Sequence, residues 1–587
     1  MNPILFLFAF LGLVALLSAE QGAQALPQDR GKQGMVTSAH PLASEAGLAM
    51  LQRGGNAVDA AVTTTLAISV VEPFSAGIGG GGFLLLRLGK TGEIQALDFR
   101  ERAPLAATRT MFLDRQGKVR PNASVDGYLA VATPGTIAGL YEVQRRYGRL
   151  AWKDVVAPAE RLASQGFPVS ARLAGAIARR KVLQQHPAAR LIFTRQGTPL
   201  TVGDRLVQSD LAKTLQTIAQ NPQSFYTGTI AAAIARDMTA NGGLITQEDL
   251  GRYRPLWREP VCGNFRVYRV CSMPPPSSGG VHLLQILNLI GDMDLKALGW
   301  RHPNALHRLV EAMKIAYADR ATYLGDPDFV KVPVNALISP AYAEQRRRQI
   351  DPQRANPASQ VKPADLRLLQ SLGASTRQFH PQPMLASRES ADTSHLNVVD
   401  REGNAVSLTF TVNLGFGAGV VVPGTGIVLN NEMDDFASAP DVPNAFGLVG
   451  QDANAIAPGK TPLSSMTPTI VTENGVTENG QLRLVVGAPG GSTIITTVVQ
   501  VVLNTLVYGM DVKSAIAAPR LHHQWRPDRL QVEQWGLDSL TLDELRRRGH
   551  PIEVGGNWGN ASAIVQTADG WLEGAADPRG EGMAYGY

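Results

Sequence analysis

Two threonines stand out for the chemistry they could do together. Thr393 and Thr411 lie in the stretch Asp-Thr-Ser-His-Leu-Asn-Val-Val-Asp-Arg-Glu-Gly-Asn-Ala-Val-Ser-Leu-Thr-Phe-Thr-Val-Asn at 392–413. A threonine hydroxyl is a weak nucleophile until a neighbouring base takes its proton. Cutting the Asp392–Thr393 bond would give Thr393 a free α-amino group beside its hydroxyl, and such an amine titrates at about 7.7–8. It can therefore act as general base for its own hydroxyl near neutral pH. The preceding residues fit a cut. Residues 351–392 are polar, proline-containing and without apolar periodicity, so they read as an exposed linker running directly into a strand.

The element that must position the pair is a hairpin. Residues 393–399 and 405–412 read as strands, and Arg401-Glu402-Gly403 suits a three-residue turn with its glycine in the left-handed conformation. In that register Leu396 faces Leu408 and Val398 faces Val406 on one side. Thr393, His395 and Asn397 oppose Thr411, Thr409 and Ser407 on the other. A one-residue slip would bury this polar set. Thr393 and Thr411 thus become cross-strand neighbours with hydroxyls close enough to interact. The hairpin alone also fits a plain threonine ladder.

A chain of 587 residues can bury a large core, and its length alone suggests several domains. Charged residues make up 18% and apolar ones 44%, the balance of a globular protein. A net charge of +5 spread over this length gives nucleic-acid binding no support, and the Arg-Arg-Arg runs at 346–348 and 546–548 sit in helical, solvated contexts. Residues 3–17 are an apolar run followed by Ala23-Gln24-Ala25, the pattern of a secretory signal peptide cleaved after residue 25. No Lys or Arg precedes the run, and an uncleaved anchor is the alternative. Export to the periplasm or beyond is expected, with no stable membrane span. The two cysteines, Cys262 and Cys271, cannot build a metal cluster. An oxidising compartment permits a bond between them, but the residues they flank read as a single extended strand, and the bond is left open.

Gly77-Ile78-Gly79-Gly80-Gly81-Gly82-Phe83 leads into a strand at 84–88. Gly89-Lys90-Thr91 has Leu84 where a phosphate loop needs its first glycine, which excludes that motif. The glycines instead predict close packing against another backbone segment. Residues 133–250 read as mainly helical. Ala439–Asn454, rich in Pro, Gly and Asn, reads as a flexible loop, and Gly487-Ala488-Pro489-Gly490-Gly491-Ser492 connects a strand to a helix.

In combination these segments resemble the γ-glutamyltranspeptidase family from about Gly34 to the C-terminus. The anchors, in order, are 54–61 (Gly-Gly-Asn-Ala-Val-Asp-Ala-Ala), 79–83, Asp-Phe-Arg-Glu at 98–101, Met-Pro-Pro-Pro-Ser-Ser-Gly-Gly at 273–280, Ala-Tyr-Ala-Asp-Arg at 316–320, 324–329, Pro-Leu-Ser-Ser-Met at 462–466 and Pro-Gly-Gly-Ser at 489–492. The resemblance implies an α+β fold, the four-layer αββα sandwich of N-terminal-nucleophile hydrolases. It also implies self-cleavage at Asp392–Thr393 into a large chain, 26–392, and a small chain, 393–587, which together make one domain.

The resemblance further implies roles. Thr393 is the nucleophile and Thr411 orients it. Gly490 and Gly491 offer backbone N–H groups to the oxyanion at a helix N-terminus. Arg100 clamps the substrate α-carboxylate with its planar fork, aided by Ser464 and Ser465. Asn413, Glu432 and Asp435 hold the α-ammonium. Without the family, Arg100 reads as a surface ion pair with Glu101. The implied substrates are glutathione and related γ-glutamyl compounds, with water, amino acids or short peptides as acceptors and no metal or organic cofactor. Two departures matter. Many bacterial relatives carry glutamine where this chain has Glu432, and Phe446 takes the place of a lid tyrosine, which predicts a looser gate. The alternatives are an acylase for glutaryl-type or β-lactam side chains, and an inactive binding protein that would leave Asp392–Thr393 uncut.

Overall fold

The computed structural model describes residues 29–374, 392–440, 442–474 and 480–587. Two antiparallel sheets of seven strands each form its centre. The first runs, in spatial order, through Met583–Gly586, Gly34–Ser38, Ser394–Asp400, Ala405–Thr411, Gly81–Arg87, Ile94–Asp98 and Leu256–Arg258. The second runs through Arg30–Gly31, Leu572–Ala576, Ser562–Gln566, Gln481–Gly487, Thr469–Glu473, Tyr268–Ser272 and Val261–Phe265. Strands from before and after residue 392 interleave in both sheets, so neither sheet can be assembled from one side of that bond alone.

Period-2 alternation assigns the faces of the first sheet. Val36, Leu84, Leu86, Leu396, Val398, Val406 and Leu408 point outward, into a core shared with the helices Pro41–Gln52 and Ala57–Val71. Asn56 and Asp59 close the start of the second helix with a reciprocal capping box. The outer face of the second sheet is covered by Gly279–Ile290, Pro303–Tyr323 and Thr493–Leu506. The result is helix, sheet, sheet, helix, the four layers expected.

The expected hairpin is present in the expected register, Leu396 opposite Leu408 and Val398 opposite Val406, with its strands at Ser394–Asp400 and Ala405–Thr411. Gly403 sits at φ +76 in the turn, where a side chain would be strained. The polar face corrects the sequence reading, because it is as buried as the apolar one. It faces the second sheet, and its groups satisfy one another. His395 lies 2.8 Å from Thr409 Oγ1 and 2.9 Å from Asn397 Oδ1, Asn397 donates to Ser562 O at 2.9 Å, and Ser407 donates to Val486 O at 3.2 Å. Buried polar groups that find partners escape most of the desolvation penalty.

Four other expectations change. The linker is packed at its start. Trp525 Nε1 donates to Ala358 O and Val361 O, and Tyr323 donates to Ala364 O. Residues 375–391 lie outside the described residues, as does the leader expected at 1–25. Residues 260–272 are a hairpin rather than one strand, turning at Arg266 with φ +56. Cys262 and Cys271 are therefore directly opposite each other, and they are bonded. The expected flexible loop at 439–454 is tied down, with Phe446, Leu448 and Ala453 buried. Arg346, read as solvated, is buried over the Tyr342 ring and donates to Lys362 O. Among the described residues no helix is long and apolar enough to cross a membrane.

Candidate active site

Thr393 is buried at the start of its strand, its Oγ1 3.2 Å from Thr411 Oγ1. The Thr411 hydroxyl also reaches Asp392 O at 3.1 Å and Ser75 O at 3.4 Å, and its oxygen accepts from Asn413 N at 2.8 Å. A hydroxyl has one proton to give, so these three acceptors, Thr393 Oγ1 among them, compete for it. In the continuous chain the carbonyl of Asp392 is one of them.

The glycine run explains how another strand can lie so near. A Cβ on Gly80 would fall 1.8 Å from Thr411 O, one on Gly79 2.1 Å from Val428 O, and one on Gly81 2.6 Å from a Glu101 oxygen. Close backbone approach is thus what these glycines allow, as the sequence reading had it.

The next turn of chain carries a charged group. Asn413 adopts φ +76 and donates to Asn431 O at 3.0 Å, bringing Glu432–Asp435 beside the hairpin end. Arg100, 1% exposed, meets Glu432 at 2.5 Å and also pairs with Asp435 through its other terminal nitrogen. Its Nε donates to Pro462 O at 3.3 Å. The alternative reading of Arg100, a surface ion pair with Glu101, is therefore not the arrangement found. Burial opposes the guanidinium charge, but Glu432 and Asp435 outweigh it and raise the Arg100 pKa.

Glu101 is buried against the same group. Burial pushes its carboxyl up to about 7, with Arg100 acting in the opposite direction. Glu432 is held well above the usual carboxylate range, first by burial, against the pull of Arg100, with Glu101 and Asp435 adding to the rise. Three carboxyls around one guanidinium cannot all ionise cheaply.

Ser464 and Ser465 lie on the far side of Pro462. Ser464 is fixed by its backbone, accepting from Ser278 N at 2.9 Å and donating to Pro276 O at 2.9 Å. Ser465 Oγ accepts from Arg320 at 3.3 Å. Sequence reasoning missed Arg320 and Glu101 as parts of this region, although both fall inside the motifs at 316–320 and 98–101. Ser75 was also missed, since a backbone carbonyl leaves no sequence signal.

Gly490 and Gly491 take φ +131 and +56 just before the helix Thr493–Leu506. A Cβ on Gly487 would fall 2.2 Å from the His395 ring. Val486 accepts from Ser407, so the strand runs past the hairpin in the direction of its Thr393 end, and the two glycines follow it. Phe446 packs on Gly491, where a Cβ would fall 2.3 Å from its ring, and Gln524 Nε2 donates to Phe446 O at 3.2 Å. Asn444, two residues earlier, donates to Asp435 at 3.2 Å.

One group of described residues is close enough to share an ion, His307, Glu311 and His550. His307 is bonded to His550 at 2.8 Å and to Asp351 O at 2.7 Å, and Lys314 donates to Glu311 at 2.8 Å. The buried lysine already supplies the positive charge, and the set does not suit a dication.

Residues 43–587 match the family model described as Gamma-glutamyltranspeptidase. This chain belongs to that family. It is 48% identical to the glutathione hydrolase proenzyme of Escherichia coli (strain K12) over 94% of this chain and 91% of the relative. Among solved structures it resembles the cephalosporin acylase from Bacillus halodurans, with TM-score 0.81 and 30% identity over 97% of this chain and 99% of that one. It also resembles the Helicobacter pylori γ-glutamyltranspeptidase, with TM-score 0.55 and 47% identity, covering 56% of this chain and 94% of that one. Asn413 links the Thr393–Thr411 pair to the Arg100 cluster, its N–H donating to Thr411 Oγ1 and its amide to Asn431 O beside Glu432.

Proposed function

We propose that the protein is a γ-glutamyltransferase and glutathione hydrolase, made as a precursor that cleaves itself at Asp392–Thr393. The observation that carries this reading is the Thr411 hydroxyl, 3.2 Å from Thr393 Oγ1 and 3.1 Å from the carbonyl oxygen of the bond to be cut. In the precursor, Thr411 polarises the Asp392 carbonyl while Thr393 Oγ1 attacks its carbon. The C–N bond breaks as the hydroxyl proton passes to the departing nitrogen, which becomes the new amino terminus. The ester that forms is then hydrolysed by water, freeing the Thr393 hydroxyl and the Asp392 carboxylate. In the mature enzyme the Thr393 amine takes the hydroxyl proton as Oγ1 attacks the γ-glutamyl amide. Backbone N–H groups of Gly490 and Gly491 receive the oxyanion, and the amine returns the proton to the leaving group. The γ-glutamyl ester then passes to water or to an amino acid or short peptide. The two chains remain a heterodimer, and the leader directs export.

The Arg100 cluster supplies a specificity argument. Its fork is already filled by Glu432 and Asp435, so a donor must bring both charges. The α-carboxylate replaces the two side chains on Arg100, and the α-ammonium, with Asn413, satisfies the carboxylates it frees. Ser464 and Ser465 add hydroxyl donors. A glutaryl donor would leave buried carboxylates unpaired, at a cost of about 3–5 kcal/mol for breaking such a pair. That favours the transferase over an acylase reading. Phe446 closes over Gly491 without a hydroxyl to bind the lid to its surroundings, and a looser gate follows.

The test is intact mass of the purified protein together with cleavage of a γ-glutamyl anilide with and without glycylglycine. Two chains separated between residues 392 and 393, and glycylglycine-stimulated release, are expected. A single full-length chain that turns over donors, or a Thr393→Ala form that still processes itself, would overturn the reading. Phe446→Tyr should shift the ratio of transfer to hydrolysis, and an unchanged ratio would remove the gating role.

A further inference from the structure

Lys460 is a buried cation that the proposed chemistry does not use. It is 3% exposed, and its Nζ donates to Ala453 O at 2.7 Å and Ala455 O at 2.9 Å. Burying an ammonium is expensive unless its protons find acceptors, and here two of them hold a single turn at the downstream end of the lid segment. Asn454 lies between the two carbonyls. Its Nδ2 donates to Asp435 O at 2.7 Å, and its Oδ1 accepts from Leu463 N at 3.0 Å. Asp435 lies on one side of the Arg100 guanidinium, and Leu463 adjoins Ser464 on the other.

The backbone around Lys460 is fixed from the opposite direction. Lys460 O accepts from Ala103 N at 2.8 Å, Gly459 N donates to Ala103 O at 3.0 Å, and Thr461 N donates to Asp326 at 2.8 Å. Pro462 O accepts from Arg100 itself. The lysine therefore has a rigid base and acts across it. Gly325 allows the close fit, because a Cβ there would fall 2.2 Å from Ala453 O. The charges facing Lys460 are Asp326 and Asp452, which favour its ammonium, and Arg109, which opposes it. The Phe329 ring lies 6.0 Å from Nζ.

We propose that Lys460 is a positioning residue for donor recognition, clamping the 453–455 turn so that Asn454 holds Asp435 and Leu463 at a fixed separation about Arg100. The inference rests on reading Arg100, Asp435 and Ser464 as the donor site. It makes the lid's downstream end part of the substrate-binding frame, coupled to it through one asparagine.

The test compares Lys460→Met, Asn454→Ala and the double variant, with Asp435→Asn as control, using a γ-glutamyl anilide. Lys460→Met should raise KM roughly tenfold, the scale of one or two hydrogen bonds, with kcat and the extent of self-cleavage near wild type. Asn454→Ala should do the same, and the double variant should be little worse than either, since both break one relay. A purely structural lysine would instead lower folded yield and kcat together and leave KM unmoved, which would overturn the proposal. Additive effects in the double variant would overturn it too. Should Lys460→Met fail to accumulate, Asn454→Ala reads the same relay with the lysine in place, and an unchanged KM there refutes it. If Asp435→Asn leaves KM unchanged, the donor-site reading itself falls. If only Asp435→Asn raises KM, that reading stands and the Lys460 relay is wrong.

Discussion

Thr411 has one proton and three acceptors within reach, and cleavage of the precursor removes one of them. Replacing Thr411 with valine keeps the volume and deletes the proton. Self-cleavage should slow by about tenfold, the upper range for one hydrogen bond's net worth, while Thr411→Ser keeps most of the rate. A mass time course on freshly refolded protein measures both. A valine variant that processes at the wild-type rate would refute the polarising role. The carboxyls around Arg100 give a pH prediction. Glu101 is raised to about 7 and Glu432 is raised with it, so below that pH the free site retains a proton. A donor's α-ammonium binds best when the carboxyls are ionised, so binding must expel that proton. Affinity for glutamate should therefore fall as pH drops through about 7. Calorimetry in buffers of different ionisation enthalpy should find proton release at acid pH and little at alkaline pH. Glutamate is the better probe because the Thr393 amine does no chemistry on it. Affinity independent of pH across neutrality would mean the cluster is already fully ionised.

At the scale of elements, the hairpin was legible because its alternation admits one useful register. Its neighbours were less so. The 439–454 segment has the composition of a loose loop, and what orders it is a set of side chains outside it, Asp434, Asp435 and Lys460 at its flanks and Gln524 far away in sequence, that its own pattern does not announce. The 260–272 stretch reads as a strand because nothing in Arg266-Val267 marks a turn, and Arg266 accepts a left-handed φ that glycine would ordinarily take. The start of the presumed linker is held by Trp525, far away in sequence. Two substitutions probe these elements. Gly487→Ala forces a methyl into the His395 ring, and overpacking of this kind costs about 1–3 kcal/mol. Denaturant unfolding should register that loss. A loss well under 1 kcal/mol would mean that the ring yields readily. The bond between Cys262 and Cys271 closes a span of 9 residues at a sheet edge. Removing both cysteines should cost about 2–3 kcal/mol by loop-entropy reasoning and leave donor kinetics intact. Altered KM in that variant would show that the edge hairpin communicates with the site.

For the molecule as a whole, strands from both sides of residue 392 build each sheet, and cutting that bond removes no hydrogen bond between strands. The processed protein should therefore migrate as one particle and unfold in one transition, with the small chain released only on unfolding. Native mass spectrometry and denaturant titration test this. Early dissociation of the two chains would contradict it. The order of layers was legible from the family resemblance, but the polar seam between the sheets was not. Alternation alone marked His395, Asn397, Ser407 and Thr409 as the less buried face, and only the arrival of a second sheet reverses that.

That seam has a consequence for timing. Its donors and acceptors match across the two sheets in one alignment, so a misdocked intermediate would leave several of them stranded and would reopen. The glycines proposed to meet the oxyanion follow a strand of the second sheet, whereas the proposed nucleophile leads into a strand of the first. On the mechanism proposed, turnover of donors therefore waits on the docking of the two sheets, the last large piece of the molecule to come home.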